Sequence, residues 1–78
     1  SRIKHLDLSS NNFCDIGIKY FLLSHNFLEL TFLNISNNNI SDSGLELFSK
    51  CYFKKLKELN LYNNDISDNG IKHLEKMR

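Results

Sequence analysis

Residues Leu30–Leu45 read LTFLNISNNNISDSGL, and this stretch determines the fold of the chain. It recurs in diverged form as IKHLDLSSNNFCDIGI over Ile3–Ile18 and as LKELNLYNNDISDNGI over Leu56–Ile71. The three copies begin 27 and then 26 residues apart. Self-similarity at this period is typical of a solenoid, in which each unit buries its apolar face against its neighbours. The sequence therefore predicts three stacked repeats, at about residues 3–29, 30–55 and 56–78.

Each copy opens with the pattern of a short strand. Leucine or isoleucine stands at alternate positions, so these side chains should point into the core. The pairs are Leu6 and Leu8, Leu33 and Ile35, and Leu59 and Leu61. An asparagine follows in each copy, at Asn11, Asn38 and Asn64. The chain turns inward there, and an amide can bond buried backbone of its own and neighbouring turns. We therefore predict a structural asparagine ladder.

The second half of each copy carries a helix signal. Aspartate and glycine recur in register as Asp15 and Gly17, Asp42 and Gly44, and Asp68 and Gly70. We expect each aspartate to be a helix N-cap and each glycine to allow close packing where a side chain would collide. Inward-facing pairs three residues apart follow, namely Ile18 and Phe21, Leu45 and Phe48, and Ile71 and Leu74. The helices should cover about residues 15–24, 42–50 and 68–77, with Phe27 and Phe53 capping the return to the sheet.

A strand, a turn, a helix and a return, repeated in tandem, predict an α/β fold with parallel strands and right-handed crossovers. Residues 1–78 then form one segment with a shared core. The chain starts at Ser1, without a methionine and just before a repeat, so we interpret it as a fragment of a longer protein. The outer edges of the first and last repeats should be uncapped, which would allow end-to-end self-association.

The motif L-x-x-L-x-L-x-x-N-x-I/F, followed by a helix-starting D-x-G, resembles the leucine-rich repeat family over nearly the whole chain. Among subtypes it looks most like the ribonuclease-inhibitor-like type, and it is also similar to the cysteine-containing type of F-box proteins, although asparagine here replaces the cysteine at the turn. The resemblance implies a right-handed leucine-rich-repeat solenoid with a short parallel sheet on the concave face and helices on the convex face. It also implies that the concave face binds another macromolecule.

Three columns of residues should lie exposed on the concave face. The first is His5, Phe32 and Glu58, the second is Asp7, Asn34 and Asn60, and the third is Ser9, Ser36 and Tyr62. Phe32 and Tyr62 are the leading candidates for partner binding, because aromatic residues on a polar surface are frequent interface anchors. The alternative is a solvated sheet face that carries two isolated aromatic residues.

Composition argues against several other functions. The net charge of +1 provides no footprint for nucleic acid, and no apolar run is long enough to span a membrane. Cys14 and Cys51 are expected to be free thiols, which suits a reducing, cytoplasmic location. No ligand spacing indicates a metal site, and no glycine-rich loop indicates a phosphate site. His5, Asp7 and Glu58 would lie on an open sheet without the enclosure that catalysis requires, so we expect no enzyme activity and no cofactor.

The sequence thus favours a non-catalytic protein–protein interaction module, such as a segment of a scaffold or receptor, that binds a protein through its concave face. One alternative is the substrate-recognition segment of an F-box-type ubiquitin-ligase adaptor. Another is a purely structural spacer between domains. A more remote alternative is inhibition of a ribonuclease or another enzyme.

Overall fold

The computed structural model describes residues 3–24, 27–51 and 53–74, which form three successive strand–helix units. The strands are β1 (His5–Asp7), β2 (Phe32–Asn34) and β3 (Glu58–Asn60). The helices are α1 (Cys14–Ser24), α2 (Asp42–Ser49) and α3 (Asp68–Leu74). The expected α/β repeat fold is confirmed. The predicted end of the third helix, residues 75–77, lies outside the described residues.

The three strands form a parallel sheet in the order β1-β2-β3. Leu6 pairs with Leu33, and Leu33 pairs with Leu59. Each residue therefore lies beside its equivalent in the next repeat, and the sequence period sets the strand register. The helices follow the same order, with α1 against α2 and α2 against α3.

The core lies between the sheet and the helices and is centred on the second repeat. Its buried apolar residues are Ile18, Phe27, Leu30, Leu33, Ile35, Ile40, Leu45, Phe48 and Phe53. The strand leucines of the outer repeats are only half-buried, because each has one neighbouring repeat instead of two. Ile71 departs further from expectation. The prediction that it faces inward is wrong, since 46% of it is exposed.

Phenylalanine rings fill the space beneath the segments that return from helix to strand. Phe27 and Phe53 occupy equivalent places in successive repeats, and both are buried. Their ring centroids lie 5.8 Å apart, and Phe53 also stacks on Phe48 at 4.6 Å. Offset stacking of this kind adds to the free energy gained by burial alone. The returns are thus held by an aromatic stack that runs from one repeat to the next.

The side chain of Asn38 is fully buried and bonds the first repeat to the second. Its Nδ2 donates to the carbonyl oxygens of Leu8 at 2.9 Å and of Ile35 and Ser36 at 3.1 Å. Its Oδ1 accepts from the backbone N–H groups of Asn11 and Phe13 in the preceding repeat. Buried backbone groups that no strand or helix satisfies therefore find partners on one amide.

Asn64 repeats these contacts one unit later. Its Oδ1 accepts from the N–H groups of Asn38 and Ile40, and its Nδ2 donates to the carbonyls of Ile35 and Leu61. Asn11 in the first repeat donates within its own turn, to the carbonyls of Leu8 and Ser9. The asparagines thus bond each repeat to the one before it.

The aspartates at the helix starts do not cap their own helices, so that prediction is wrong. The N-cap of α2 is Ser41, whose Oγ accepts from the N–H of Ser43. Asp15 instead reaches the next repeat and accepts from the N–H of Ser41 at 2.8 Å and from its hydroxyl. Asp42 accepts from the N–H and hydroxyl of Ser67 in the same way. Each aspartate therefore positions the capping serine of the following repeat.

The Asp42 carboxylate should make the stability of the chain sensitive to acid. The hydrogen bonds from the Ser67 hydroxyl and N–H lower the pKa of Asp42 below its ordinary value of 3.8. A carboxylate with a lowered folded-state pKa stabilises the fold above its unfolded-state pKa, and this contribution is lost as the pH falls through the folded-state pKa. We expect Asp42→Asn to lose stability at neutral pH and to show a flatter decline on acidification than the wild type.

Urea denaturation midpoints, measured from neutral pH down through the range below 3.8, would check this expectation. Asp65→Asn is the control, because it removes the same charge from an exposed aspartate outside the Asp42–Ser67 contact. If Asp42→Asn and Asp65→Asn changed the pH profile equally, the contact between Asp42 and Ser67 would not be the cause.

Candidate functional site

The outward side chains of the three strands form one surface, here called the strand face. It comprises His5, Asp7, Phe32, Asn34, Glu58 and Asn60. The register places His5 beside Phe32 and Phe32 beside Glu58, with Asp7, Asn34 and Asn60 in the next row. The first two predicted columns therefore exist as rows of neighbours across the sheet.

His5 and Phe32 form an aromatic pair at one side of the strand face. Their rings are almost parallel, with an interplanar angle of 8° and centroids 4.0 Å apart. The stack leaves Phe32 half-buried, whereas His5 remains exposed. Two rings stacked on adjacent strands form a flat aromatic platform, and rings already in contact lose less side-chain entropy when a partner covers them.

Asp7, Asn34 and Asn60 share a role in local structure that the sequence reading missed. The side-chain oxygen of each accepts from the backbone N–H two residues later, in Ser9, Ser36 and Tyr62. Such contacts are typical of Asx turns, and here they shape the chain as it leaves each strand. Asp7 also accepts from the Ser9 hydroxyl at 2.6 Å. These bonds from Ser9 lower the pKa of Asp7 and keep a negative charge on the surface.

Tyr62 lies just beyond β3 and is 75% exposed, the highest exposure among the large hydrophobic residues that the structure describes. Asn60 holds its backbone N–H at 2.9 Å, so its position relative to β3 is defined. The third predicted column does not form a continuous row on the surface. Ser36 is buried, Ser9 is half-buried and Tyr62 is exposed. The three residues differ because the strands end before them, at Asp7, Asn34 and Asn60.

The opposite side of the molecule carries apolar residues that the sequence reading did not select. Ile16, Tyr20 and Leu23 in α1 are exposed by 67%, 64% and 73%. A cavity of about 210 Å³ lies between α1 and α2, lined by Lys19, Leu22, Leu23, Leu47, Lys50 and Cys51. Burial in this wall raises the pKa of the Cys51 thiol. An alignment of the three repeats would have revealed these residues, since only the first repeat has apolar residues at all three of these outward helix positions.

The described residues offer little for metal chemistry. Across 3–24, 27–51 and 53–74, no group of three or more histidine, cysteine, aspartate and glutamate side chains is placed to hold a metal ion. Within the same segments, none of the helices has the length and apolar character needed to cross a bilayer. Both cysteines are free.

Comparison with known families identifies the repeat. The family model described as Leucine Rich repeat matches residues 3–22, 30–49 and 54–74. These three matches coincide with the three strand–helix units. No curated protein matches the chain, and no solved structure matches it.

Proposed function

Since this chain belongs to the leucine-rich repeat family, we propose that it is a protein-interaction module that binds a protein partner through its strand face. Domains of this family are generally protein-interaction modules and are typically non-catalytic. The observation that carries the proposal for this chain is the stacked pair of His5 and Phe32. Together with Tyr62, it places rigid aromatic surface on a face that is otherwise polar.

Several features of the strand face fit a protein partner. The aromatic rings can supply the apolar centre of an interface, and the charged side chains of Asp7 and Glu58 can supply part of its polar rim. Asp7, Asn34 and Asn60 each use one side-chain oxygen to accept a hydrogen bond within the following turn. We therefore assign the main contribution to Phe32 and Tyr62, with His5, Asp7 and Glu58 next and the two asparagines at the edge.

The double variant Phe32→Ala/Tyr62→Ala should lose the partner while the fold is retained. Anchor residues at the centre of an interface cost about 2 kcal/mol or more when truncated, which corresponds to roughly a 30-fold weaker affinity. The immobilised wild type, the double variant and the control Lys54→Ala would be exposed to the same cell lysate. The partner retained by the wild type would then be purified and its dissociation constant measured against all three proteins.

We expect Lys54→Ala to match the wild type, because Lys54 is exposed in the return segment away from the strand face. Circular dichroism would verify that all three proteins are folded. Equal affinity of the wild type and the double variant for every recovered partner would reject the strand face as the binding surface.

Two alternatives are distinguished by further observations. A substrate-recognition segment of an F-box-type adaptor would bind through the same face, but its full reading frame would also encode an F-box. A structural spacer would tolerate the strand-face substitutions, whereas a core substitution such as Leu33→Asp would unfold it.

The α-helix in each repeat favours the ribonuclease-inhibitor-like subtype and, with it, right-handed connections between the strands.

The free thiols support an intracellular location for the module. The outer faces of the first and third repeats support a further proposal, end-to-end self-association. Asp68 occupies in α3 the place from which Asp15 and Asp42 bond the next repeat's serine. Concentration-dependent sedimentation that Asp68→Asn weakens would support such contacts, and a monomer at all concentrations would exclude them.

A further inference from the structure

The outward surface of α1 carries a stripe of three apolar residues. Ile16, Tyr20 and Leu23 stand at intervals of four and three residues, so they lie on one face of the helix. All three are mostly exposed, and that face points away from buried Ile18. This stripe extends over about 10 Å, or two helical turns.

The other two repeats show that the fold does not require apolar residues at these positions. In the second repeat the equivalent positions are Ser43, Leu47 and the C-cap Lys50, and in the third repeat the first two are Asn69 and His73. The backbone architecture is the same, so α1 could carry polar residues there without loss of packing. Folding alone therefore does not explain why α1 has apolar residues at these three positions.

The stripe borders the cavity between α1 and α2, since Leu23 belongs to both. The cavity measures about 210 Å³, below the roughly 300 to 1,000 Å³ of sites for small-molecule ligands. Leu22, Leu23 and Leu47 give it apolar walls. A space of this size and lining suits one large apolar side chain of a protein partner.

The two charged side chains that line the cavity have the same sign. Lys19 and Lys50 line it, and no acidic residue appears among the described residues of its wall. Lys55 and Glu29 form the one ion pair among the residues that the structure describes. Neither Lys19 nor Lys50 is therefore paired with a carboxylate there. A partner that places acidic side chains beside these two ammonium groups would be electrostatically complementary.

We propose that this surface, the helix-side groove formed by Ile16, Tyr20 and the cavity residues, binds an acidic amphipathic helix of a protein partner. One apolar side chain of that helix fills the cavity, others cover the stripe on α1, and its acidic residues lie beside Lys19 and Lys50. The proposal concerns a different face from the strand face and does not depend on its function.

A helix fits this groove better than an extended peptide does. A bound strand needs the free N–H and C=O groups of a sheet edge, whereas the walls of the groove belong to helices that bond their own backbone groups. A partner helix satisfies its own backbone and presents apolar side chains at i, i+3/i+4 and i+7, which matches a stripe of two turns. A bilayer surface fits less well, because it cannot reach into a cavity recessed between two helices.

Selection from a phage-displayed library of helix-forming peptides of about 15 residues would test the proposal. The chain would be the target, and its Leu23→Lys variant would be the counter-selection. Lysine is the residue of the second repeat at this position, Lys50, so the variant is compatible with the fold. Ile16→Ser, which also copies the residue of α2, provides a second variant if Leu23→Lys does not fold.

We expect the selected peptides to combine an apolar stripe with aspartate or glutamate beside it. Their affinity for the Leu23→Lys variant and for the charge-reversal variant Lys19→Glu should be at least tenfold lower than for the wild type. It should be unchanged on Lys72→Glu, an equivalent charge reversal on exposed α3, and on the strand-face double variant Phe32→Ala/Tyr62→Ala.

Three results would overturn the proposal. The first is a selection that yields no peptide able to distinguish the wild type from Leu23→Lys and Ile16→Ser. The second is a set of binders without acidic enrichment, or with affinity insensitive to Lys19→Glu. The third is Leu23-dependent binding to phosphatidylcholine–phosphatidylserine vesicles with no helical peptide selected, which would assign the stripe to a membrane surface instead.

Discussion

Replacement of Asn38 by alanine should destabilise the chain by about 3–4 kcal/mol, a large part of the roughly 5 kcal/mol expected for a small domain. The substitution removes hydrogen bonds to three carbonyl groups and two N–H groups. The carbonyls of Leu8, Ile35 and Ser36 each keep a second donor, so most of the loss comes from the two N–H groups left without a partner, at about 1–3 kcal/mol each. Water can reach the groups nearest the surface, so the total should stay below the sum. Urea denaturation followed by circular dichroism would measure the loss.

Asn11→Ala is the matched control for this experiment. Asn11 is the equivalent residue of the first repeat, but it is exposed and its side chain donates only within its own turn. We expect a loss of about 1 kcal/mol or less, the ordinary contribution of a single accessible hydrogen bond. Similar losses in the two variants would mean that the amide of Asn38 acts only as a turn residue and does not hold the repeats together.

The repeat, the sheet register and most of the core follow from the sequence because periodicity reports burial directly. Leu33 and Ile35 alternate with half-buried Phe32 and Asn34, and both are buried. The spacing of 27 and 26 residues between copies also gives the pairing of Leu6, Leu33 and Leu59. Burial of the outer repeats is less predictable, because it depends on how many neighbours a repeat has. Ile71 keeps the helical pattern and is nevertheless exposed.

The roles of the helix-start residues could not be read from the sequence because two adjacent residues fit the same pattern. Ser41 and Asp42 are both good N-caps by residue type. The choice is made by Asp15, which lies 26 residues earlier and bonds the N–H and hydroxyl of Ser41. A local pattern contains no information about that contact. The sequence gives one indication of it, because a glycine stands two residues after the aspartate in every repeat.

The candidate sites were partly accessible from sequence for a similar reason. Alternation along the strands correctly separated the row of His5, Phe32 and Glu58 from the core. It could not show that the rings of His5 and Phe32 stack, because rotamers depend on contacts across the sheet. It also could not show that Asp7, Asn34 and Asn60 use their oxygens in the following turns. The apolar stripe on α1 was visible in the sequence, but only a comparison of outward helix positions would have revealed it.

Gly44→Ala should produce the second large loss of stability, about 2 kcal/mol. A Cβ atom at this position would collide with Oδ1 of Asp15 and would lie 2.8 Å from Cγ2 of Ile40. Overpacking typically costs about 1–3 kcal/mol, and displacement of the carboxylate would also weaken its charge-assisted bonds to Ser41, worth about 1.5–3 kcal/mol. Alanine recovers about 1 kcal/mol of helix propensity. Thermal and urea unfolding would measure the net loss.

Gly17→Ala separates the collision from the general effect of a glycine in a helix. Gly17 is the equivalent residue of α1, where a Cβ would meet the Phe13 side chain at 3.0 Å and no carboxylate. We expect little change there, because the propensity gain offsets a small adjustment of Phe13. The decisive comparison is Gly44→Ala in an Asp15→Ala background. If the carboxylate between the repeats is the reason for the glycine, the alanine should cost much less in that background than in the wild type. An unchanged cost would assign the requirement for Gly44 to Ile40 alone, and the contact between Asp15 and Ser41 would then not explain why glycine recurs two residues after each aspartate.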